Sequence, residues 1–197
     1  MSQASLAKVH FVCTGNICRS PFAQAFAQAR MADLPQLEFS SSGLFVLEER
    51  PISQGMKKYV AEAASNPDFK HLSSQTNSSL LAQQDLIIVM TREHRMQVLE
   101  ECPLAMSRVF TLREFGRLLH LAAEDKVALP QGETVSERIR GAARTLSQLR
   151  SLLPALENST DDDVLDPYRL DDEVYARSVS QMLPPLKMLE AFLRALA

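Results

Sequence analysis

The chain has 197 residues, of which 46% are hydrophobic and 23% charged, and its formal net charge is -3. This length fits one α/β domain, and the slight acidic excess gives no support for nucleic-acid binding. With three cysteines and four histidines, neither a disulfide scaffold nor a metal site is expected, and no cofactor is implied. The first residues lack the features of a signal peptide and no apolar run has the length of a membrane span, so we expect a cytoplasmic protein without membrane contact.

Short apolar segments alternate with segments of helical periodicity, which is typical of βα units around a parallel sheet. In chain order, strands are predicted at residues 8–13, 36–43, 85–90 and 107–112. Helices are predicted at residues 20–32, 52–65, 91–102, 113–124, 135–156 and 171–196. The adjacent Pro184 and Pro185 are expected to kink or interrupt the last helix. The predicted fold class is therefore α/β: a single domain over residues 1–197, with a four-stranded parallel sheet flanked by helices.

The turn between the first strand and the first helix reads CTGNICRSP from residue 13 onward. Gly15 can adopt backbone angles that point successive N–H groups inward, and such a turn at a helix N-terminus forms a nest for a tetrahedral oxyanion. Arg19 can clamp two oxygens of that anion. The same field favours the thiolate form of Cys13, which is a nucleophile, and Ser20 can donate a hydrogen bond to its sulfur. The turn therefore predicts a site that holds an oxyanion and attacks it.

The stretch VCTGNICRSP resembles the phosphate-binding loop of the low-molecular-weight protein tyrosine phosphatase family, in which a Cys, five residues, an Arg and a Ser directly follow the first strand. The resemblance implies that Cys13 and Arg19 are catalytic. It implies a substrate-binding role for the other loop residues, which are Thr14, Gly15, Asn16, Ile17, Cys18 and Ser20. It also implies an Asp-Pro-aromatic motif near the C-terminus, and residues 166–168 read DPY. Asp166 is thus the expected general acid and then base, and Tyr168 the expected aromatic wall of the pocket.

Two further positions match the family's supporting network. Ser42 matches a serine that helps to brace the loop asparagine, here Asn16, and His71 matches a histidine that joins the same network. Other polar residues near these motifs are expected to have no role in the site: Asp161, Asp162 and Asp163 as solvated loop acids, and His94 as an ordinary helix residue.

Two features depart from the family's pattern. The segment from about residue 115 to 163 is longer than in a minimal member of the family. Within it, the stretch at 135–156 has apolar residues at helical spacing. This insertion is expected either to pack on the domain as an added helix or to offer a surface for self-association or a partner. The chain has no tryptophan, so Phe45 or Leu47 is the candidate for the family's tryptophan wall, and Arg169 stands where many members have a second tyrosine.

The resemblance implies a phosphatase that hydrolyses phosphotyrosine-type monoesters on phosphorylated proteins or peptides through a cysteinyl phosphate. Three alternatives remain. A protein arginine phosphatase of the same family has threonine where this chain has Ile17, which favours phosphotyrosine. An arsenate reductase needs a disulfide relay, and only Cys102 lies outside the loop. A non-catalytic phosphate-binding module needs neither a nucleophile nor an acid.

The second loop cysteine raises a regulatory hypothesis. An oxidised Cys13 could be captured by Cys18 as a reversible disulfide that spares the nucleophile from further oxidation. The alternative is that Cys18 is a small packed thiol.

Overall fold

Four parallel strands form the sheet at the centre of the protein, in the order β2-β1-β3-β4. The computed structural model describes residues 6–66, 68–128 and 130–197. The strands are Ala7–Cys13 (β1), Leu37–Gly43 (β2), Leu86–Val89 (β3) and Val109–Thr111 (β4). Every pairing between neighbours is parallel, so the four carboxyl ends lie at one edge of the sheet. The four predicted strands and the α/β fold class are confirmed.

Helices cover both faces of the sheet. They are Arg19–Arg30 (α1), Lys57–Ala63 (α2), Ser78–Ala82 (α3), Arg92–Glu101 (α4), Leu112–Glu124 (α5), Val135–Gln148 (α6) and Asp172–Leu196 (α7). The buried residues of α1, α2, α5, α6 and α7 share one hydrophobic cluster with the sheet, and those of α3 and α4 share the other. Because both faces are covered, all four residues of β3 are buried, which explains its continuous apolar run.

The predicted helical stretch at residues 135–156 forms α6, which ends at Gln148 and is followed by a 3-10 turn to Leu152. The helix begins at a capping box made by Thr134 and Glu137. Its apolar face is buried in the main cluster through Ile139, Ala142, Ala143 and Leu146. Packing on the domain therefore accounts for these four apolar residues of the stretch.

The last helix, α7, is continuous through Pro184 and Pro185, so the prolines do not interrupt it, and a kink at this point stays a prediction. Each proline removes a backbone hydrogen bond one turn earlier. The neighbours Met182 and Leu186 are nonetheless fully buried, and a Cβ built on Gly116 of α5 would lie 3.0 Å from the Cβ of Pro185. The buried face of α7 packs closely on α5, and this tertiary packing outweighs the local cost of the prolines.

The remaining differences concern the segment after β2. The helix predicted at residues 52–65 is shorter, since a 3-10 turn at Gln54–Met56 precedes α2. The short helix α3, capped by Asn77, has no counterpart among the predicted helices. Within the described residues, no helix combines the length and the apolar character needed to cross a bilayer. Residues 1–5, part of the segment judged for a signal peptide, lie outside the described residues.

Candidate active site

The cysteine loop, residues 13–19, joins the end of β1 to the start of α1 at the carboxyl edge of the sheet. Cys13 is buried, and its Sγ lies 3.0 Å from Ser20 Oγ. Ser20 Oγ in turn accepts a hydrogen bond from Asn16 Nδ2 at 2.9 Å. Since the amide is the donor in that contact, Ser20 keeps its own proton for one of two neighbouring acceptors, Cys13 Sγ or Ser42 O at 3.5 Å. Donated to the sulfur, this proton stabilises negative charge on Cys13.

The left-handed residue of the cysteine loop is Asn16, whose φ is 52°. Gly15, the glycine expected to shape this turn, does not have a positive φ. Asparagine is one of the few residues that tolerate this conformation. Its side-chain oxygen accepts a hydrogen bond from Ser74 N at 3.0 Å, and its amide also donates to Ser41 Oγ at 2.8 Å. Asn16 thus fixes the loop from within.

The serine of β2 that braces Asn16 is Ser41, so the expectation for Ser42 is wrong. Successive side chains of a strand point to opposite faces of the sheet. The Ser42 hydroxyl contacts His10 Nε2 at 2.7 Å and the Thr76 hydroxyl. Its carbonyl oxygen accepts a hydrogen bond from Ser20 Oγ at 3.5 Å.

Gly43, at the end of β2, lies directly against the backbone of the cysteine loop. A Cβ at this position would be 2.8 Å from Thr14 O and 3.0 Å from Asn16 N, so no side chain fits. The two chain segments are joined just beyond it, where Phe45 N donates to Thr14 O at 2.9 Å. A glycine here lets the two backbones meet.

His71 contacts the same network from the segment before α3. Its Nε2 lies 2.7 Å from Asn16 O, and since a carbonyl only accepts, the ring donates this hydrogen bond. The contact is therefore with the backbone of Asn16 and not with its amide. Burial lowers the pKa of His71, against the opposing effect of this hydrogen bond.

Arg19 joins the cysteine loop to the segment that carries the expected acid. Its Nη1 donates to Val164 O at 3.1 Å, and its Nη2 donates to Asp166 Oδ2 at 2.6 Å and to Thr14 Oγ1 at 3.2 Å. The residue is 3% exposed, and its buried Nε has no hydrogen-bond partner among the described residues. A buried guanidinium that lines a pocket is suited to bind an oxyanion.

The acid loop, residues 162–169, is anchored on the sheet and on α4. Val164 N donates to Met90 O, directly after β3, at 2.8 Å. Asp163 accepts from Arg92 N at 2.7 Å, and the buried Asp162 pairs with Arg117 at 3.0 Å. The expectation that these two acids are solvated is therefore wrong, because they hold the loop in place.

Asp166 lies at the mouth of the site, with a half-exposed side chain. Its Oδ1 accepts a hydrogen bond from Tyr168 N at 3.2 Å, an Asx turn across Pro167. The guanidinium of Arg169 lies over the Tyr168 ring, 5.1 Å from its centroid. The DPY motif thus directs one carboxylate oxygen to its own turn and the other to Arg19.

A cavity of about 220 Å³ opens between the two loops. Its wall includes Ile17, Phe45, Leu47 and Tyr168, together with the catalytic candidates. Phe45 and Leu47 are both largely exposed, so apolar side chains stand at the rim where a substrate would enter. Glu48 and Arg50, also in the wall, form an ion pair with each other.

The second loop cysteine is also a free, buried thiol. Cys18 Sγ lies 2.9 Å from Ser53 Oγ, and burial raises the pKa of Cys18 to about 12, in spite of this hydrogen bond. Cys18 is therefore a protonated thiol at neutral pH, so little of it is in the nucleophilic form that disulfide exchange requires. Its disulfide with Cys13 stays a prediction.

The sequence assigned no role to His94, yet its Nε2 lies 2.9 Å from Thr14 Oγ1. His94 is buried in the first turn of α4. Burial, and to a smaller extent the Arg19 cation, lower the pKa of His94 to about 3, against the effect of Asp163. Since β3 and β1 are neighbours, a polar residue in the first turn after β3 comes close to the cysteine loop, and this is the signal that could have identified it.

A sulfur nucleophile, a buried guanidinium and a carboxylate around one pocket are the groups that a two-step phosphoryl transfer requires. The fold and this site together are those of a cysteine-dependent phosphatase. A sequence model described as low molecular weight phosphotyrosine protein phosphatase matches residues 8–126. The chain belongs to this family and is therefore a protein phosphatase.

Individual relatives agree with the family match. The protein-arginine-phosphatase of Geobacillus stearothermophilus is 33% identical over 108 residues, covering 55% of this chain and 70% of that protein. The low molecular weight protein-tyrosine-phosphatase PtpB of Staphylococcus aureus is 34% identical over 112 residues, covering 55% and 73%. The tyrosine phosphatase Wzb from Escherichia coli K30, solved in complex with phosphate, has a similar fold, with a TM-score of 0.62. The match covers 95% of this chain and 98% of that one, at 19% sequence identity. The family match ends before Asp166, so the position of the acid rests on the geometry.

Proposed function

We propose that the protein hydrolyses phosphotyrosine-type monoesters on proteins or peptides, with Cys13 as the nucleophile. The sulfur attacks phosphorus while the N–H groups of the cysteine loop and Arg19 bind the non-bridging oxygens. Asp166 protonates the departing phenolate oxygen. The products of this step are the free tyrosine hydroxyl and a cysteinyl phosphate.

The second step returns the enzyme to its starting state. Asp166, now a carboxylate, takes a proton from water as the water oxygen attacks phosphorus, and the Cys13 sulfur leaves. In this step the hydroxyl of Ser20, whose Oγ lies 3.0 Å from Sγ, donates its proton to the leaving sulfur and stabilises its charge. Inorganic phosphate then dissociates.

The observation that carries this proposal is the set of hydrogen bonds made by Arg19. One guanidinium contacts both Thr14 of the cysteine loop and Asp166 of the acid loop, although residues 19 and 166 are far apart in the chain. Cys13 and Asp166 also line one pocket, which supports their proposed roles as nucleophile and acid. Binding alone would not require that arrangement, which supports catalysis over a phosphate-binding module.

Turnover of para-nitrophenyl phosphate at mildly acidic pH tests the chemistry. Cys13→Ser should abolish phosphate release while the protein still binds inorganic phosphate or vanadate. Cys102→Ala removes a buried thiol outside the pocket and should keep activity. If the wild-type protein released no phosphate, or if Cys13→Ser retained its activity, the proposal would be wrong.

Phosphoarginine is the second candidate substrate, because one of the relatives is a protein-arginine-phosphatase. Ile17 lines the pocket together with Phe45 and Tyr168, and an apolar, aromatic wall favours a phenyl ring over a guanidinium. One preparation assayed on phosphotyrosine and phosphoarginine peptides decides between them. We expect a preference for phosphotyrosine that Ile17→Thr reduces. A wild-type preference for phosphoarginine would reverse the assignment.

We infer that the protein acts in the cytoplasm, as its proposed chemistry favours a reducing compartment. Catalysis through Cys13 requires a free thiol, and Cys13, Cys18 and Cys102 are all free. Free thiols persist where glutathione and thioredoxin keep them reduced. Cell fractionation followed by a phosphatase assay would test this location.

A further inference from the structure

Thr14 stands between two side chains that come from different parts of the fold. Its Oγ1 lies 3.2 Å from Arg19 Nη2 and 2.9 Å from His94 Nε2. A guanidinium only donates hydrogen bonds, so the Thr14 oxygen accepts from Arg19. The hydroxyl has the further capacity to pair with the imidazole. The three residues form one connected hydrogen-bond network, in the order Arg19, Thr14, His94.

The position of His94 is rigid. It lies in the first turn of α4, where its backbone N donates to the capping Thr91 Oγ1 at 3.1 Å. The residue is 6% exposed, so solvent does not substitute for its partner. A buried imidazole with a single hydrogen bond among the described residues, to a residue of the cysteine loop, is placed to orient that residue.

The contact between Thr14 and Arg19 becomes more important during the reaction. Arg19 is held by Val164 O, Thr14 and Asp166. To protonate the leaving oxygen, Asp166 enters this step as the neutral acid and faces the substrate, so its ion pair with Arg19 is absent until the proton has been transferred. The contacts with Val164 and Thr14 are then what hold the guanidinium in the orientation that binds the phosphoryl oxygens.

We propose that His94 is a positioning residue for the phosphoryl-transfer step: it fixes the side chain of Thr14, which in turn holds Arg19 against the transferring phosphoryl group. The inference rests on the proposed function. Burial keeps His94 neutral by lowering its pKa, and a neutral ring avoids a second positive charge next to Arg19.

Three variants separate positioning from mere packing. His94→Leu keeps the volume and removes the hydrogen bond, whereas His94→Gln keeps a hydrogen-bonding group near the place of Nε2. Thr14→Val removes the hydroxyl at nearly constant shape, and with it both the contact with His94 and the contact with Arg19. His120→Leu, at an exposed position of α5, is the control and should leave activity unchanged.

We expect His94→Leu and Thr14→Val each to lower kcat for para-nitrophenyl phosphate about tenfold, the value of one hydrogen bond to a charged network. The loss in kcat should be larger than any rise in KM, and His94→Gln should recover most of that loss. The double variant should be no slower than Thr14→Val alone, because that change already removes the contact with His94. Equal losses in His94→Leu and His94→Gln, losses that multiply in the double variant, or an unchanged kcat would overturn the proposal.

A binding measurement separates this inference from the proposed function. The affinity for inorganic phosphate, measured by calorimetry, should fall in Thr14→Val and His94→Leu and not in His120→Leu. If the wild type bound phosphate without turnover, the proposed function would fail. A lower phosphate affinity in the two variants would still support the role of His94 in positioning Thr14 and Arg19. If His94→Leu did not fold, Thr14→Val would carry the same test, and an unchanged phosphate affinity together with an unchanged kcat in that variant would refute the link.

Discussion

Removal of the imidazole of His10 should make the stability of the protein less sensitive to acid. His10 lies on β1 and is 1% exposed, with Nδ1 2.7 Å from Ser40 Oγ and Nε2 2.7 Å from Ser42 Oγ. Burial lowers the pKa of His10 from 6.5 to about 4. The folded protein therefore holds this ring in its neutral form at pH values where an unfolded chain would protonate it.

The direction of the effect follows from proton linkage. Above pH 6.5 neither state carries the extra proton, so His10 contributes no pH dependence. As the pH falls from 6.5 to 4, the unfolded chain binds a proton that the folded state does not, and the free energy of unfolding decreases. The full pKa difference corresponds to about 3 kcal/mol, of which about 2.5 kcal/mol is lost by pH 4.5.

Urea unfolding of the wild type and of His10→Gln, at several pH values between 7.5 and 4.5, measures this loss. Contributions of the carboxylates are common to both proteins and cancel in the comparison. The wild type should lose about 2.5 kcal/mol more than the variant over this range. His120→Gln, which removes an exposed imidazole of α5, controls for the loss of one histidine. Parallel profiles for the wild type and His10→Gln would refute the reasoning.

Three further variants test the site. Asp166→Asn should lower kcat about 10²- to 10⁴-fold for phenyl phosphate, whose leaving group needs a proton, and less for para-nitrophenyl phosphate; equal losses on the two substrates would contradict its role as the acid. Asn16→Ala should lower the free energy of unfolding, measured in urea, by about 4 kcal/mol: about 1 kcal/mol for each of three lost hydrogen bonds and a similar amount for the left-handed backbone. Asn16→Gly avoids the backbone cost and should be at least as stable as the alanine variant. Gly43→Ala places a Cβ 2.8 Å from Thr14 O, so kcat/KM should fall at least tenfold and the melting temperature should decrease; wild-type kinetics would show that the cysteine loop tolerates the shift.

Much of the fold was predictable because it depends on local patterns. β3 is an uninterrupted apolar run, which a strand covered on both faces requires, and the cysteine loop joins a strand to a helix within seven residues. The spacing of Cys13 and Arg19, with Ser20 next to them, is set by that one turn. The position of Asp166 needed the resemblance, because no local pattern ties it to the loop.

The serines of β2 show what a local sequence pattern does not decide. The run SSSG offers three consecutive hydroxyls, and side chains alternate between the two faces of a strand. Only the pairing of β2 with β1 decides that Ser41 faces Asn16 and Ser42 faces His10. Since the same residue type occupies all three positions, the sequence carried no signal for this choice.

The sequence by itself determined the chemistry of this protein, since a nucleophile, a guanidinium and an anion-binding turn lie within one loop of fixed length. Tertiary structure decided what surrounds that loop. Parallel pairing of β1 and β3 places the first turn of α4 next to Thr14, and so gives His94 its partner. The packing of α7 on α5 keeps the helix continuous through its prolines. These outcomes depend on contacts between residues far apart in the chain, and the free energy of such contacts exceeds the local preferences that a sequence pattern reports.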